Sequence, residues 1–456
     1  MGMRLSAETS AARLVGRLSR AVGRGGGTTL PGKLLWKVDP GALDALAARL
    51  PAGVAVVSAT NGKTTTSAML ARILGPRHRL AWNNSGANLA SGVASTLLSA
   101  KDADLGLLEV DEFALPEVIR RVRPRVVSLG NLFRDQLDRY GELEHIAERW
   151  RAAVATLSPR STLVVNADDP LVAELAEGRA QALRFGVDDP RLARPTLQHA
   201  ADSKYCVRCG SPYAYAAAYV GHLGDYHCPA CGHARPPLDV VARSIDLQGL
   251  DSSEFDLVTP AGTARVRLPL PGLYNVYNAL AAAACALVLD AGLDEVVAGL
   301  QSFTAAFGRF ERIEAGDKRI LMLLIKNPAG ANEAVRTLQE GHVPETLVIA
   351  LNDRIADGRD VSWIWDVDFE PLLEAADRVV VSGERAAELA LRFTYAGFPT
   401  ARLDVVPDLR EALDRGLALV PAGGELAILP TYTAMLALRK IAVERGLVRP
   451  YWEGGG

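Results

Sequence analysis

The chain has 456 residues, too many for one ordinary core, so at least two domains are expected. Hydrophobic residues make up 49%, charged residues 23%, and the net charge is −3, a globular composition with no global attraction to nucleic acid or to an anionic membrane. No apolar run approaches the length of a membrane span, so no transmembrane segment is expected.

From Met3 to Arg24 the chain is rich in arginine (Arg4, Arg13, Arg17, Arg20, Arg24) and nearly free of acids. That is the composition of a transit peptide or a surface helix, and an amphipathic helix packing Leu14, Leu18 and Val22 on the body is the plainer reading. Met1-Gly2 with Ser6 also fits a myristoylation pattern, relevant only in a eukaryote. Gly53–Ser58 reads as a buried strand and Thr64–Leu74 as the helix after it. Leu105–Val110, Arg125–Leu129 and Ser161–Val165 are further short apolar runs, with helical patterns at Pro116–Arg123 and Leu143–Leu157. Alternation of this kind predicts a mostly parallel sheet with helices on both faces. The composition changes at Ala201–Pro237, where cysteine, glycine and histidine cluster. Tyr274–Leu293 predicts an alanine-rich helix with Gly292 as its stop. After Phe310 the rhythm restarts, with strands expected at Leu347–Leu351, Arg378–Ser382, Arg402–Val406 and Leu426–Leu429. The resulting division is an N-terminal extension (1–48), an α/β domain (49–305) carrying a small insertion (about 203–236), and a second, smaller α/β domain (306–456).

Ser58-Ala-Thr-Asn-Gly-Lys-Thr-Thr-Thr66 lies between a strand and a helix, the position a phosphate-binding loop requires. Gly62 lets the backbone approach an anion, successive N–H groups and the helix N-terminus face it, and Thr60, Asn61, Gly62, Lys63, Thr64 and Thr65 are the candidate nucleotide-binding residues. Lys63 adds a point charge, and Thr64 offers a hydroxyl to Mg²⁺. Val57 stands where a full Walker A spacing has glycine, so the loop is of another type; a Gly-Lys turn merely capping a helix is the plain alternative. A magnesium nucleotide also needs a carboxylate on a neighbouring strand end, and Leu105–Glu112 offers Glu109, Asp111 and Glu112. If Leu107, Glu109 and Asp111 share one face, Glu109 is favoured for the metal, because strand ends deliver side chains to the ligand crevice; a solvated acidic turn is the alternative.

Thr60-Asn-Gly-Lys-Thr64, Asn84-Ser-Gly-Ala-Asn88, Asn131-Leu-Phe-Arg-Asp-Gln-Leu-Asp-Arg139 with Asp135 and Asp138, Asn166-Ala-Asp-Asp169 and Gly272-Leu-Tyr-Asn-Val-Tyr-Asn278 follow one another as in the Mur ligases, which the chain resembles over most of its length. The resemblance implies ATP, with Lys63 on the phosphates, Thr64 and Glu109 on Mg²⁺, Asn275 and Asn278 at the adenine, and Arg309 reaching the phosphates from the C-terminal domain. Two departures bear on the reaction. Ala59 stands where these ligases usually have glycine. The Asp-Tyr-Ala-His-Asn-Pro of the peptide-adding members becomes Leu323-Leu-Ile-Lys-Asn-Pro328, without the acid expected near the ribose and with Lys326 for the histidine. An equivalent of the family's carbamylated lysine is not evident.

Cys206-Val-Arg-Cys209 and Cys228-Pro-Ala-Cys231, each followed by glycine, have the spacing of paired thiolate knuckles closing a tetrahedral Zn²⁺ site. His222, His227 and His233 are alternative ligands, but four thiolates fill the shell and leave no open position, so the role is structural. The segment is not basic enough to favour nucleic acid. The fifth cysteine, Cys285, sits in an alanine-rich helix and reads as a buried small hydrophobe. Without a Cys–His pair, the chain is expected to lack a glutaminase of its own.

Asp353, Asp357, Gly358, Asp360 and Asp366 follow a strand, with Trp363 and Trp365 as apolar anchors; an interface is one reading and a plain turn the other. Asn352-Asp-Arg-Ile-Ala-Asp-Gly-Arg-Asp-Val-Ser-Trp363 and Pro430-Thr-Tyr-Thr-Ala-Met435, like the zinc ribbon, resemble the branch of Mur-like synthetase subunits that amidate lipid II. This resemblance implies phosphorylation of the D-glutamate α-carboxylate of lipid II and attack by ammonia from a GatD-like class I glutaminase. Asp360 would complete the partner's Cys–His–Asp set. It further implies a cytoplasmic location at or near the inner face of the membrane. An amino-acid-adding ligase of the folylpolyglutamate type stays open, as does an ATP-switched binding protein that uses its ribbon on a partner. Amine dependence of ADP release separates the first; ATP binding without turnover would mark the second.

Overall fold

A computed structural model describes residues 30–39, 41–84, 87–135, 143–198, 201–304 and 310–449. The expected Arg-rich N-terminal helix, Asp138 and Arg309 lie outside the described residues.

Among these residues, the first domain is built on a nine-stranded sheet. Its strands are β1 (Gly53–Ser58), β2 (Leu80–Trp82), β3 (Leu105–Glu109), β4 (Val126–Leu129), β5 (Thr162–Asn166), β6 (Ala182–Val187), β9 (Val240–Gln248), β10 (Ser252–Thr259) and β11 (Gly262–Leu268). The spatial order is β11-β10-β9-β6-β5-β4-β1-β3-β2, parallel from β2 to β9 and antiparallel over the last two pairs. Side chains alternate across the sheet. Ala55 and Val57 of β1 join one core with the Lys63–Leu74 and Leu273–Val288 helices, whereas Val54 and Val56 join another. The second core also takes Leu35, Leu43 and Leu46 from the Leu30–Val38 and Ala42–Ala47 helices.

The expected long helix ends earlier, at Val288. Leu289 folds its N–H back to Cys285 and Ala286, and Asp290 is left-handed at φ 66°. Gly292 starts a second helix, Leu293–Gln301, its N–H donating to Glu295 at 2.7 Å. It is therefore an N-cap with a glutamate at the third helical position, rather than a stop.

The inserted segment is a hairpin, β7 (Ala214–Val220) and β8 (Leu223–His227), with one cysteine pair before it and one after. Arg235 ties it to Asp168 at 3.0 Å, and Arg208 ties it to Glu174 at 2.9 Å.

The second domain is a six-stranded sheet in the order β12-β13-β17-β14-β15-β16. Its strands are β12 (Phe310–Ala315), β13 (Lys318–Leu323), β14 (Thr346–Ala350), β15 (Arg378–Ser382), β16 (Leu403–Val405) and β17 (Glu425–Pro430). All pairs are parallel except β12–β13. Leu347 and Ile349 face one core, and Val348 and Ala350 the other. The architecture is thus the expected one: a larger α/β domain with a cysteine-bearing insertion, then a smaller α/β domain.

Candidate active site

Parallel sheets place ligands at the carboxyl ends of their strands. β1 is central, and its end delivers residues 59–62 between two neighbours. Val57 is level with Glu109 of β3, and Ser58 with Leu129 of β4, just before Asn131. Asn131 clasps the loop, accepting from Asn61 N at 2.9 Å and donating to Asn61 O at 3.1 Å. Thr60 N donates to Asn131 O at 2.9 Å. Ala59 is accommodated because a Cβ at Gly130 would lie 2.9 Å from its methyl group. Gly62 turns at φ 88° into the Lys63–Leu74 helix, whose N-terminus carries no side-chain cap. The first-turn N–H groups and the helix dipole make that end a receptor for anionic oxygens.

Lys63 is only 7% exposed. Its ammonium donates to Glu112 Oε2 at 2.8 Å, to the Thr60 carbonyl at 3.3 Å and to the Ala59 carbonyl. Burial opposes its charge, but the carboxylates of Glu112, Asp111 and Glu109 outweigh burial and hold the ammonium above the ordinary lysine range. For Glu112, burial is likewise overcome by Lys63, and its carboxyl is held low. Thr64 Oγ1 donates to Glu109 Oε1 at 3.2 Å, and Asn88 Nδ2 donates to the same oxygen at 3.3 Å. A hydroxyl and a buried carboxylate side by side at the helix N-terminus form the hard-oxygen pair suited to Mg²⁺ beside a phosphate.

The second domain closes over the loop, leaving a cleft of about 320 Å³. Asn61 and Asn327 exchange amide hydrogen bonds at 3.1 and 3.0 Å. Asn327 also caps the Pro328–Glu340 helix through Gly330 N at 2.9 Å. Lys326 pairs with Asp135, whose carboxyl burial still pushes up. Asn278 borders the cleft under Gly62, accepting from Thr66 Oγ1 at 3.3 Å. Asn275 lies buried behind it, accepting from Asn278 at 3.1 Å and donating to the Pro271 carbonyl at 2.8 Å. Thr60, Asn61, Gly62, Lys63, Thr64, Thr65, Glu109 and Asn278 thus share one cleft, which Asn275 does not line.

The four cysteines form a cluster able to hold a metal ion. Their sulfurs lie within 4.8 Å of one another, with Cys206–Cys231 at 3.6 Å and Cys209–Cys228 at 3.5 Å. A tetrahedron of thiolates around zinc has sulfur separations of about 3.8 Å. Gly210 N donates to Cys206 O at 2.8 Å and Gly232 N to Cys228 O at 2.9 Å, so both knuckles have the same turn. Cys285 is buried, and burial pushes its thiol up to about 12, the state of an inert core residue.

Asp360 is not in the cleft. It is exposed, accepts from Ser362 N at 2.9 Å, and is held below the usual carboxylate range by the Ser362 hydroxyl and N–H. Asp357 is buried, accepting from Thr433 N at 2.8 Å and Thr433 Oγ1 at 2.5 Å, which anchors the loop. Exposed apolar side chains, Ile355, Trp365 and Tyr395, stand on the same domain, the last two edge to face at 5.7 Å. Sequence reasoning missed Glu112 as the partner of Lys63, the Asn61–Asn327 exchange and the Lys326–Asp135 pair. Each joins positions far apart in sequence, and no local spacing marks them.

Residues 57–221 match the family model of the Mur ligase middle domain, and residues 324–435 that of the MurT ligase C-terminal domain. The chain is 33% identical over 454 residues to the MurT subunit of the lipid II isoglutaminyl synthase (glutamine-hydrolyzing) of Streptococcus pneumoniae, covering 98% of this chain and 99% of the relative. It is also 33% identical over 393 residues to the subunit of that name from Staphylococcus aureus, covering 84% and 86%. Its fold resembles the pseudomurein peptide ligase type C of Methanothermus fervidus, with a TM-score of 0.68 at 22% identity over 86% of this chain and 78% of the other.

A Cβ at position 62 would lie 2.0 Å from Asn278 Oδ1 at a φ that L-residues rarely adopt. Gly62→Ala should therefore distort the loop and cost about 1–3 kcal/mol there. Calorimetric titration should record ATP affinity lower by roughly tenfold or more, whereas unchanged affinity would contradict the tight fit of this loop.

Proposed function

Since the chain belongs to the family of MurT subunits, we propose that it amidates the D-glutamate α-carboxylate of lipid II to D-isoglutamine. ATP is the activating substrate, and ammonia comes from a GatD-like class I glutaminase partner. The observation that carries the reading is the buried Lys63 beside the Thr64–Glu109 pair at an uncapped helix N-terminus. The Mur ligase family uses ATP and Mg²⁺, and the donor set fits both.

In this reading the N–H groups at the start of the Lys63–Leu74 helix and the Lys63 ammonium bind the β- and γ-phosphates, Lys63 exchanging Glu112 for phosphate oxygens. Thr64 and Glu109 hold Mg²⁺, which when bound neutralises charge on the phosphoryl group. The substrate carboxylate attacks the γ-phosphorus, ADP leaves, and an acyl phosphate forms. Ammonia then adds to its carbonyl carbon, the excess proton is lost, and phosphate departs. The loop and Lys63 stabilise the phosphoryl oxygens throughout, since their dipoles already point at that charge. Asn131 and Asn327 hold Asn61, and with it the loop, in position. We place the reaction in the cytoplasm at the inner face of the membrane; among the described residues no helix is long and apolar enough to cross one. The four thiols hold a structural Zn²⁺. Protein purified without chelator should contain about one zinc per chain. Serine at Cys206 or Cys228 should lower thermal stability before it affects ATP affinity, and metal-free protein on elemental analysis would refute the assignment.

We assign Asp360 to the glutaminase rather than to the ligase cleft. An exposed, ionised aspartate, on a segment that also carries the exposed Trp365, suits a partner's histidine, whose tautomer a carboxylate fixes. Asp360→Asn should depress glutamine hydrolysis by the assembled complex by about a hundredfold or more, while free ammonium restores amidation of a lipid II analogue. Normal hydrolysis, or failure of ammonium to rescue an assembled complex, would remove Asp360 from this role.

A further inference from the structure

Beyond Asn327 the cleft continues along one side of the Pro328–Glu340 helix. Ala329, Gly330, Glu333 and Ala334 line it there, facing Val220, Leu223 and Tyr274 of the first domain. Residues four apart share a helix face, so Glu333 looks into the same space as Ala329. It lies three residues on from Gly330, about 4.5 Å further along the axis and away from the phosphate loop.

Glu333 is only 4% exposed. Its Oε1 accepts from Arg194 of the first domain at 3.3 Å, whereas its Oε2 is buried without a hydrogen-bond partner. Arg336, one turn on, does not fill the gap: it donates to Glu340 at 2.6 Å and to the Tyr219 carbonyl at 2.8 Å. A buried carboxylate oxygen without a donor is destabilising, and in a ligand cleft that donor can arrive with the ligand. The polarity here is the reverse of that at the loop. N–H groups and Lys63 receive anionic oxygens, while Glu333 repels anions and accepts from neutral donors. On a nucleotide with its phosphates on the loop, the first such donors beyond the phosphates are the ribose hydroxyls.

We propose that Glu333 is a nucleotide-binding residue whose free Oε2 accepts a hydrogen bond from a ribose hydroxyl of ATP, with Arg194 fixing the carboxylate through Oε1. The assignment rests on the ATP reading of the cleft. It makes the site selective for ribonucleotides and links nucleotide binding to an ion pair between the domains. The amino group of the base is the other donor within a nucleoside, and it can be told apart.

The experiment is calorimetric titration of the full chain with ATP, 2′-deoxy-ATP, 3′-deoxy-ATP and ITP, which lacks the amino group, repeated on Glu333→Ala. Wild-type protein should bind ATP about tenfold or more tighter than at least one deoxy analogue. Glu333→Ala should weaken ATP by a similar factor and abolish that difference, as a pairwise coupling requires. The ATP KM should rise with kcat little changed. Glu333→Gln preserves the shape, and should move the same way by a smaller factor if the alanine variant fails to fold. Equal weakening of ATP and both deoxy analogues would reduce Glu333 to a brace for Arg194 and overturn the proposal. Loss of discrimination against ITP instead would overturn it in favour of the base. Wild-type binding of ATP that the variants leave unchanged would overturn this assignment alone, whereas wild-type protein that binds no nucleotide would overturn the ATP reading with it.

Discussion

A lysine ammonium kept charged out of water is the constraint around which the site is arranged. Burying a lone ammonium is costly, and the chain offsets that cost with Glu112 and the carbonyls of Ala59 and Thr60. The carbonyls come from the loop itself, but Glu112 can meet Lys63 only because β1 and β3 are parallel neighbours, with Val57 level with Glu109. Glu112 is positioned in turn by the buried Trp150, whose indole N–H donates to the Glu112 carbonyl at 2.9 Å. The charge therefore exists before any nucleotide arrives, and a phosphate oxygen need only replace one carboxylate oxygen. Catalysis by preorganised charge works in this way, since little reorganisation is left for the reacting step.

The domains meet through polar pairs rather than through a broad apolar seam at the loop. Asn61–Asn327, Lys326–Asp135 and Arg194–Glu333 each take one partner from each domain. One member of each pair, Asn61, Lys326 and Glu333, lines the cleft, so domain contact and the proposed nucleotide binding share groups. Asp360 lies apart, on an outward loop whose base is pinned by Asp357 to Thr433. The separation suits the two chemistries proposed for this chain: phosphoryl transfer at the cleft, and support of a partner's active site at the surface.

Much of this was legible in the residues because the signals were local. The strand, loop and helix over 53–74 are contiguous, and so are the cysteine knuckles, where spacing alone dictates that four sulfurs converge. The parallel core strands read correctly because burial on both faces makes them continuously apolar. The β9–β11 meander was not legible: Ser252–Thr259 alternates buried and half-buried positions and carries Ser, Glu, Asp and Thr, a weak signal beside the core strands. The helix end at Val288 was missed because Gly292 resembles a stop, while the Glu295 bond that makes it a start depends on backbone geometry. The partners of Lys63, Asn61 and Lys326 depend on strand order and domain closure, which spacing in the chain does not encode.

The central claim is that phosphoryl transfer to the substrate carboxylate precedes nitrogen attack. The most direct measurement follows oxygen through the reaction, using a lipid II analogue carrying a heavy-oxygen label in both oxygens of the D-glutamate α-carboxylate. An acyl phosphate requires one labelled oxygen to leave with each phosphate released while the other stays in the amide. Amide formed without label in the phosphate would show that the carboxylate is never phosphorylated and would contradict the account.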